Sequence, residues 1–248
     1  ERKALLRKDE RKATASVVLR LRGGYDLEAG QERYLCYTFR SPPEKKAIVR
    51  VEPIQGQTVH HIALFRTMTP EKEGVFECPQ LISLNWEPIW AGGAGAKALD
   101  VPEDVGFVIE PNTQYLSQYH LLNATPEPIN TAATIRLTYA EDVENITPAG
   151  IFALGAFSLS IPAQAKGFAQ TTKCNPSHDL NVFAIFPHMH KLGRSIRLAA
   201  GKTEMDAIDA YRKDPWVFGE QPMAPLELGV KAGDYLQSTC TWDNPTAK

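Results

Sequence analysis

The feature that most constrains this 248-residue sequence is the period of its hydrophobic pattern. Apolar and polar residues alternate over short runs, and no helix longer than three turns reads clearly. Lys46–Glu52 alternates most cleanly and is predicted to end at Pro53. Ser16–Arg22, closed by Gly23-Gly24, reads the same way. So do Thr58–Phe65, Tyr115–Leu122, Thr134–Tyr139, Ile151–Ile161, Asn181–Phe186, Ser195–Leu198 and Tyr235–Trp242. In an extended chain alternate side chains share a face, so each run can cover one side of a core. Pro, Gly and Asn punctuate the gaps. Many short strands separated by turn residues imply all-β sandwiches rather than βαβ units. The one weak helical candidate is Glu204–Lys213, with Asp214-Pro215 as its stop.

The chain has room for one large domain or two smaller ones. The polar segment Glu141–Gly150 carries Pro and Gly and divides the strands into two groups. We therefore expect domains over 13–145 and 146–248. Glu1–Lys12 has no apolar stretch and is not a signal peptide; it reads as a solvated linker or short surface helix, with a partner-binding helix as the alternative. With 27 basic and 29 acidic residues the net charge is −2, so no basic field exists to gather nucleic acid or anionic lipid. No apolar run approaches the ~18 residues of a transmembrane helix.

Cys36, Cys78, Cys174 and Cys240 are dispersed, and none forms a CxxC pair. This spacing excludes a zinc ribbon or thioredoxin motif. It fits one or two disulfides in a secreted, periplasmic or secretory-lumen protein, or else buried thiols. Asn123-Ala-Thr125 and Asn145-Ile-Thr147 are glycosylation sequons. Gly92–Gly95 follows Trp90 rather than a strand and reads as a flexible surface loop, not a phosphate cradle.

Six histidines occur, in unusual settings. His188 and His190, in Phe186-Pro-His-Met-His-Lys-Leu-Gly193, would stand on one face of an extended strand and chelate one metal. Alone, the pattern equally describes hydrogen-bonded surface histidines. His60 and His61, in Thr58-Val-His-His-Ile-Ala-Leu-Phe65, are adjacent. They can share a metal only if the strand begins, twists or bulges there. His120 shares a strand face with Leu116, Gln118 and Leu122, which suits a satisfied core residue as well as a ligand. His178, beside Asp179, reads as a loop residue. HExxH and GxSxG are absent, and no spacing marks a catalytic triad. Imidazole sites suit copper and zinc alike, and residue type does not choose between them.

Taken in order, these segments resemble the type II copper, ascorbate-dependent monooxygenases, the group of peptidylglycine alpha-hydroxylating and dopamine beta-monooxygenases. Arg33-Tyr-Leu-Cys36 resembles the family's opening strand. Thr58–Phe65 is similar to its VHHxxLF motif, Val101–Phe107 to P-x-G-V-G-F, Gln118-Tyr-His120 to Q-V-H, and His188–Gly193 to HTHHLG. The similarity runs from about residue 15 to the end.

The resemblance implies two antiparallel jelly-roll domains and two copper ions. His60, His61 and His120 would hold an electron-relaying copper. His188 and His190 would hold the oxygen-binding copper, and Gln118 would position groups between the sites. The implied reaction hydroxylates a C–H bond of a small-molecule substrate with O2 and ascorbate or another one-electron donor. The family's methionine ligand sits in a DEMC-like segment beyond the strand that resembles Leu236–Trp242. Up to Lys248 no such segment occurs, and Met68, Met189, Met205 and Met223 do not match it. The ligand is then either downstream of Lys248 or missing, and Cys240 likewise lacks its family partner. A non-catalytic copper-binding or electron-relay module is the alternative function. Phe186 stands where peptidylglycine enzymes carry a carboxylate-binding arginine, which points to an apolar or aromatic substrate.

Overall fold

The computed structural model describes residues 15–20, 25–56, 58–78, 83–93, 95–156 and 158–247. The Glu1–Lys12 segment and the Leu21–Gly24 end of the first expected strand lie outside the described residues. Among the described residues there is no helix, and the fold is all-β. The chain divides into two compact units. The first comprises Glu1–Ala91 and Lys97–Ile151, and the second Gly92–Ala96 and Phe152–Lys248.

In chain order the first unit carries β1 (Ala15–Arg20), β2 (Tyr25–Leu27), β3 (Glu32–Arg40), β4 (Lys46–Gln55), β5 (Val59–Thr67), β6 (Val75–Glu77) and β7 (Trp86–Gly93), whose last two residues fall in the second unit. These are followed by β8 (Leu99–Asp100), β9 (Val105–Ile109), β10 (Gln114–Leu122), β11 (Ile129–Thr131), β12 (Ala133–Tyr139) and β13 (Thr147–Pro148). The second unit carries β14 (Phe168–Cys174), β15 (Leu180–Ile185), β16 (Gly193–Gly201), β17 (Ile208–Lys213), β18 (Ala224–Val230) and β19 (Tyr235–Trp242).

In the first unit one sheet runs β1-β12-β4-β9-β13 with β8 beside β4, a second runs β6-β3-β10-β5-β7, and β11-β2 forms a short ribbon. Of the pairs whose register is described, all are antiparallel except β13 with β9. β12 shows the clean alternation of a half-buried strand, with Ala133, Ile135, Leu137 and Tyr139 inward. β10 is different. Gln114 through Leu121 are all buried, because it is the middle strand of its sheet and is covered on both faces.

The second unit has a four-stranded sheet, β14-β19-β16-β17, and a β15-β18 pair. Its core is small. Met189, Trp216, Cys240 and Trp242 are buried together, with Ile161, Phe168, Leu192 and Ile196 packed around them.

Several expectations need correction. β4 does not stop at Pro53 but runs to Gln55, with Pro53 opposite Ile135. Its other partners reach only Lys46–Ile48 and Arg50–Val51, so proline sits where just one neighbour needs hydrogen bonds. Glu204–Lys213 is not a helix. The Asp206 carboxylate accepts from Thr203 N, Thr203 Oγ1 and Lys202 N, closing a bend, and Ile208–Lys213 then pairs with β16. Cross-strand pairing overrides the local helical tendency. Ile151–Ile161 forms no strand among its described residues, and Ile151, Phe152 and Leu159 are exposed. Gly92 and Gly93 are not a surface loop; they end β7 and are buried. A side chain on Gly93 would meet the Gln221 backbone oxygen at 3.3 Å, so the close approach requires glycine.

Cys36 and Cys78 form a disulfide, whereas Cys174 and Cys240 are free thiols. Burial pushes the Cys240 thiol up, keeping it protonated. The sequon at Asn123 is structural: the residue is fully buried, and its Nδ2 donates to the carbonyls of Leu27, Glu28 and Glu127.

Candidate metal centres

The three adjacent strands β3, β10 and β5 build the first cluster. Their register places Tyr34, His120 and His61 in one row across the sheet. Paired residues of neighbouring strands share a face, so these side chains stand together. His60 would normally point to the opposite side. However, His120 pairs with His61 while Leu121 pairs with Val59, so His60 is the extra residue of a β-bulge. A bulge sets two residues of one strand against one of its partner. Ring centroids of His60 and His61 both lie 4.7 Å from that of His120.

The ligand-capable atoms of His60, His61 and His120 all lie within 4.8 Å of one another, the one such group of three among the described residues. His120 Nδ1 and His61 Nδ1 are 3.1 Å apart. With imidazole–metal bonds of about 2.0 Å and a near-tetrahedral angle, two ligand nitrogens fall about 3.2 Å apart. The donor set therefore fits a metal ion that takes imidazole nitrogen. His120 is buried, and that burial holds its pKa below the ordinary histidine value, against the raising effect of Glu32. A neutral imidazole is the form that can ligate.

Gln118 lies two residues before His120 on the same strand face and is buried. Its Nε2 donates to Cys78 Sγ at 3.7 Å. Beyond it, Cys36, Ala63, Phe65, Cys78, Trp86 and Leu116 form an apolar cluster. The disulfide thus ties β3 to the segment after β6 directly behind the histidine row.

The second pair lies just past β15, in irregular but extended chain rather than in a strand. The alternation nevertheless persists: Pro187 and Met189 are buried, while His188 and His190 are exposed. Met189 is anchored among Trp216, Cys240 and Trp242, so it points away from the imidazoles. His188 Nε2 and His190 Nε2 are 3.3 Å apart, again the spacing of two nitrogens on one ion. Phe186 lies beside His188, ring centroids 6.1 Å apart. A turn closes the segment, with Gly193 N donating to His190 O at 2.9 Å. His178 is exposed on a bend, as a loop residue would be.

Sequence reading missed Glu32 and Tyr34. The Tyr34 ring stacks on His120 with centroids 4.1 Å apart and planes 8° from parallel. His120 Nε2 lies 2.6 Å from Glu32 Oε1. Glu32 and Tyr34 alternate on β3, and that period was the available signal.

Residues 147–248 match the family model described as copper type II ascorbate-dependent monooxygenase, C-terminal domain. Over these residues the chain is similar to the C-terminal domain of the copper type II ascorbate-dependent monooxygenases. The matched stretch contains His188 and His190 and all of β14–β19. Among solved structures the chain is similar to a serine-to-alanine mutant of Bacillus subtilis oxalate decarboxylase, at 8% identity, covering 92% of this chain and 77% of that one, with a TM-score of 0.15. A second structure, from work on the manganese centres of the same Bacillus subtilis enzyme, gives 10% identity, 94% and 78% coverage, and a TM-score of 0.15. Likeness at that level carries no argument about fold or function.

Proposed function

We propose that this chain hydroxylates a C–H bond of a small-molecule substrate, using O2 and a one-electron donor such as ascorbate, with one copper ion at each histidine group. The observation that carries the reading is the pair of imidazole sets, one at the bulge and one beside the buried Met189, in a chain whose residues 147–248 are similar to the C-terminal domain of the copper monooxygenases. Copper, when bound, supplies one-electron redox chemistry and activation of O2.

The residues divide the work. His60, His61 and His120 sit on a rigid sheet with a buried partner, which suits an ion that changes oxidation state with little movement of its ligands. His188 and His190 are exposed, so O2 and substrate can reach them. Gln118, between the disulfide and His120, is a positioning residue. Phe186 beside His188 offers an apolar surface and no charge-assisted partner for a carboxylate, which favours an apolar or aromatic substrate. The disulfide fits an oxidising compartment such as a secretory lumen, periplasm or extracellular space.

A non-catalytic copper-binding or electron-relay module is the second reading. It is favoured by Met189, the methionine of the second segment, being buried away from the histidines. Copper titration with oxygen uptake separates the two. The monooxygenase reading expects about two ions per chain and ascorbate-dependent uptake that collapses in His188→Ala. Two ions without uptake favour the module, and one ion or none overturns the two-site assignment.

A further inference from the structure

We propose that Glu32 is the residue that orients the first metal site, holding His120 in the tautomer whose Nδ1 lone pair faces His60 and His61. The inference rests on the copper-site reading above. It begins with the chemistry of a carboxylate, which in its ionised form only accepts hydrogen bonds. Glu32 Oε1 lies 2.6 Å from His120 Nε2, so Nε2 must carry the proton and donate it. A neutral imidazole has one N–H, so Nδ1 is left with its lone pair. That atom is the one 3.1 Å from His61 Nδ1.

Two further contacts fix the carboxylate and the ring. Tyr34 Oη donates to the same Glu32 oxygen at 3.2 Å, and the Tyr34 ring covers the face of His120. The register explains why all three meet. Tyr34 is opposite His120, and Glu32 is opposite Leu122, one alternation further along the same face. Metal-binding histidines commonly donate their second N–H to a carboxylate, which orients the ring and strengthens the ligand nitrogen. The added negative charge stabilises the more highly charged Cu(II) state over Cu(I). Glu32 is therefore a positioning residue that tunes both affinity and potential.

The test uses the full chain carrying His188→Ala and His190→Ala, so that copper reports on the first site alone. In this parent we compare Glu32→Ala, Glu32→Gln and Glu77→Ala. Glu77 pairs with Arg33, the neighbour of Tyr34 on the other face of β3, so its loss removes a nearby charge without touching His120. Chelator competition should show Cu(II) affinity about 10- to 100-fold weaker in Glu32→Ala. Glu32→Gln, which keeps a carbonyl acceptor, should recover part of it. Glu77→Ala should match the parent. If Cu(I) affinity falls less than Cu(II) affinity, each tenfold of difference raises the midpoint potential by about 59 mV.

A metal-free measurement stands independently of copper. Nitrogen chemical shifts should show His120 protonated at Nε2 in the parent and a mixture of tautomers in Glu32→Ala. His120 protonated at Nδ1 in the parent overturns the inference, as do Glu32 variants that bind like Glu77→Ala. A parent with the expected tautomer that binds no copper sinks the first-site assignment instead. Should Glu32→Ala fail to fold, Glu32→Gln carries the affinity test, and Cu(II) binding equal to that of Glu77→Ala overturns the inference.

Discussion

Gly193→Ala tests whether the core of the second unit sets the second histidine pair. Gly193 starts β16, opposite Trp242, and closes the turn from His190. An added Cβ would lie 2.9 Å from Met189 Cβ, 2.9 Å from Trp216 Cδ1 and 3.0 Å from His190 O. Two of these are atoms that cannot swing aside, a Cβ and a backbone oxygen. Overpacking of this kind costs about 1–3 kcal/mol, and three simultaneous contacts place it near the top of that range. Restricting the unfolded chain returns about 0.4–1 kcal/mol. The net loss should be about 2 kcal/mol. With an m-value of about 1 kcal/mol/M, the urea midpoint of the unit falls by about 2 M. Tryptophan fluorescence follows it, since Trp216 and Trp242 lie in this core. Gly229→Ala, where a Cβ meets nothing within 4 Å, is the control and should shift little. Because Met189 must move, copper affinity at His188/His190 should fall while that at His60/His61/His120 is kept. A midpoint within about 0.3 M of wild type, with both sites intact, would refute the steric argument.

Asn123→Ala should destabilise the first unit by about 1–3 kcal/mol in urea, since it leaves the buried Leu27 carbonyl without this donor and removes two part-buried bonds; mass spectrometry of protein made in a glycosylating host should find Asn123 bare. Replacing Cys36 and Cys78 by alanine removes a cross-link spanning 42 residues, worth about 4 kcal/mol of chain entropy, and a calorimetric loss under 1 kcal/mol would contradict it. In the metal-free protein His120 is held below the ordinary histidine pKa by burial. A base with a depressed folded pKa contributes stability that is complete above its unfolded value, about 6.5, and is lost as pH falls through that value toward the folded one. The urea midpoint should therefore drop from pH 7.5 to 5.5, and drop less in His120→Gln; equal slopes would exclude His120 as the source.

The period-two runs carried most of the fold, because alternation is a local property of any strand with one wet face. Tyr235–Trp242 appears as a strand with the expected ends. The failures are where a partner decides. Ile208–Lys213 is extended because β16 offers it a ladder, and Ile151–Ile161 is irregular because none is offered. The close approach of His188 and His190 was likewise legible, since their burial alternates with that of Pro187 and Met189 outside any sheet.

The first site was not legible in the same way. Adjacent residues on a strand diverge, so the sequence left His60 and His61 undecided, and the resemblance alone joined them to His120. Register is a property of two strands. The slip between His120 and Leu121 turns His60 onto the face of His61. The same ladder brings Glu32, 88 positions away, to His120. The sequence by itself determined that the chain is strands and that two histidines could chelate. The tertiary structure decided which residues three further ones would meet, because backbone hydrogen bonds between strands distant in sequence set the register.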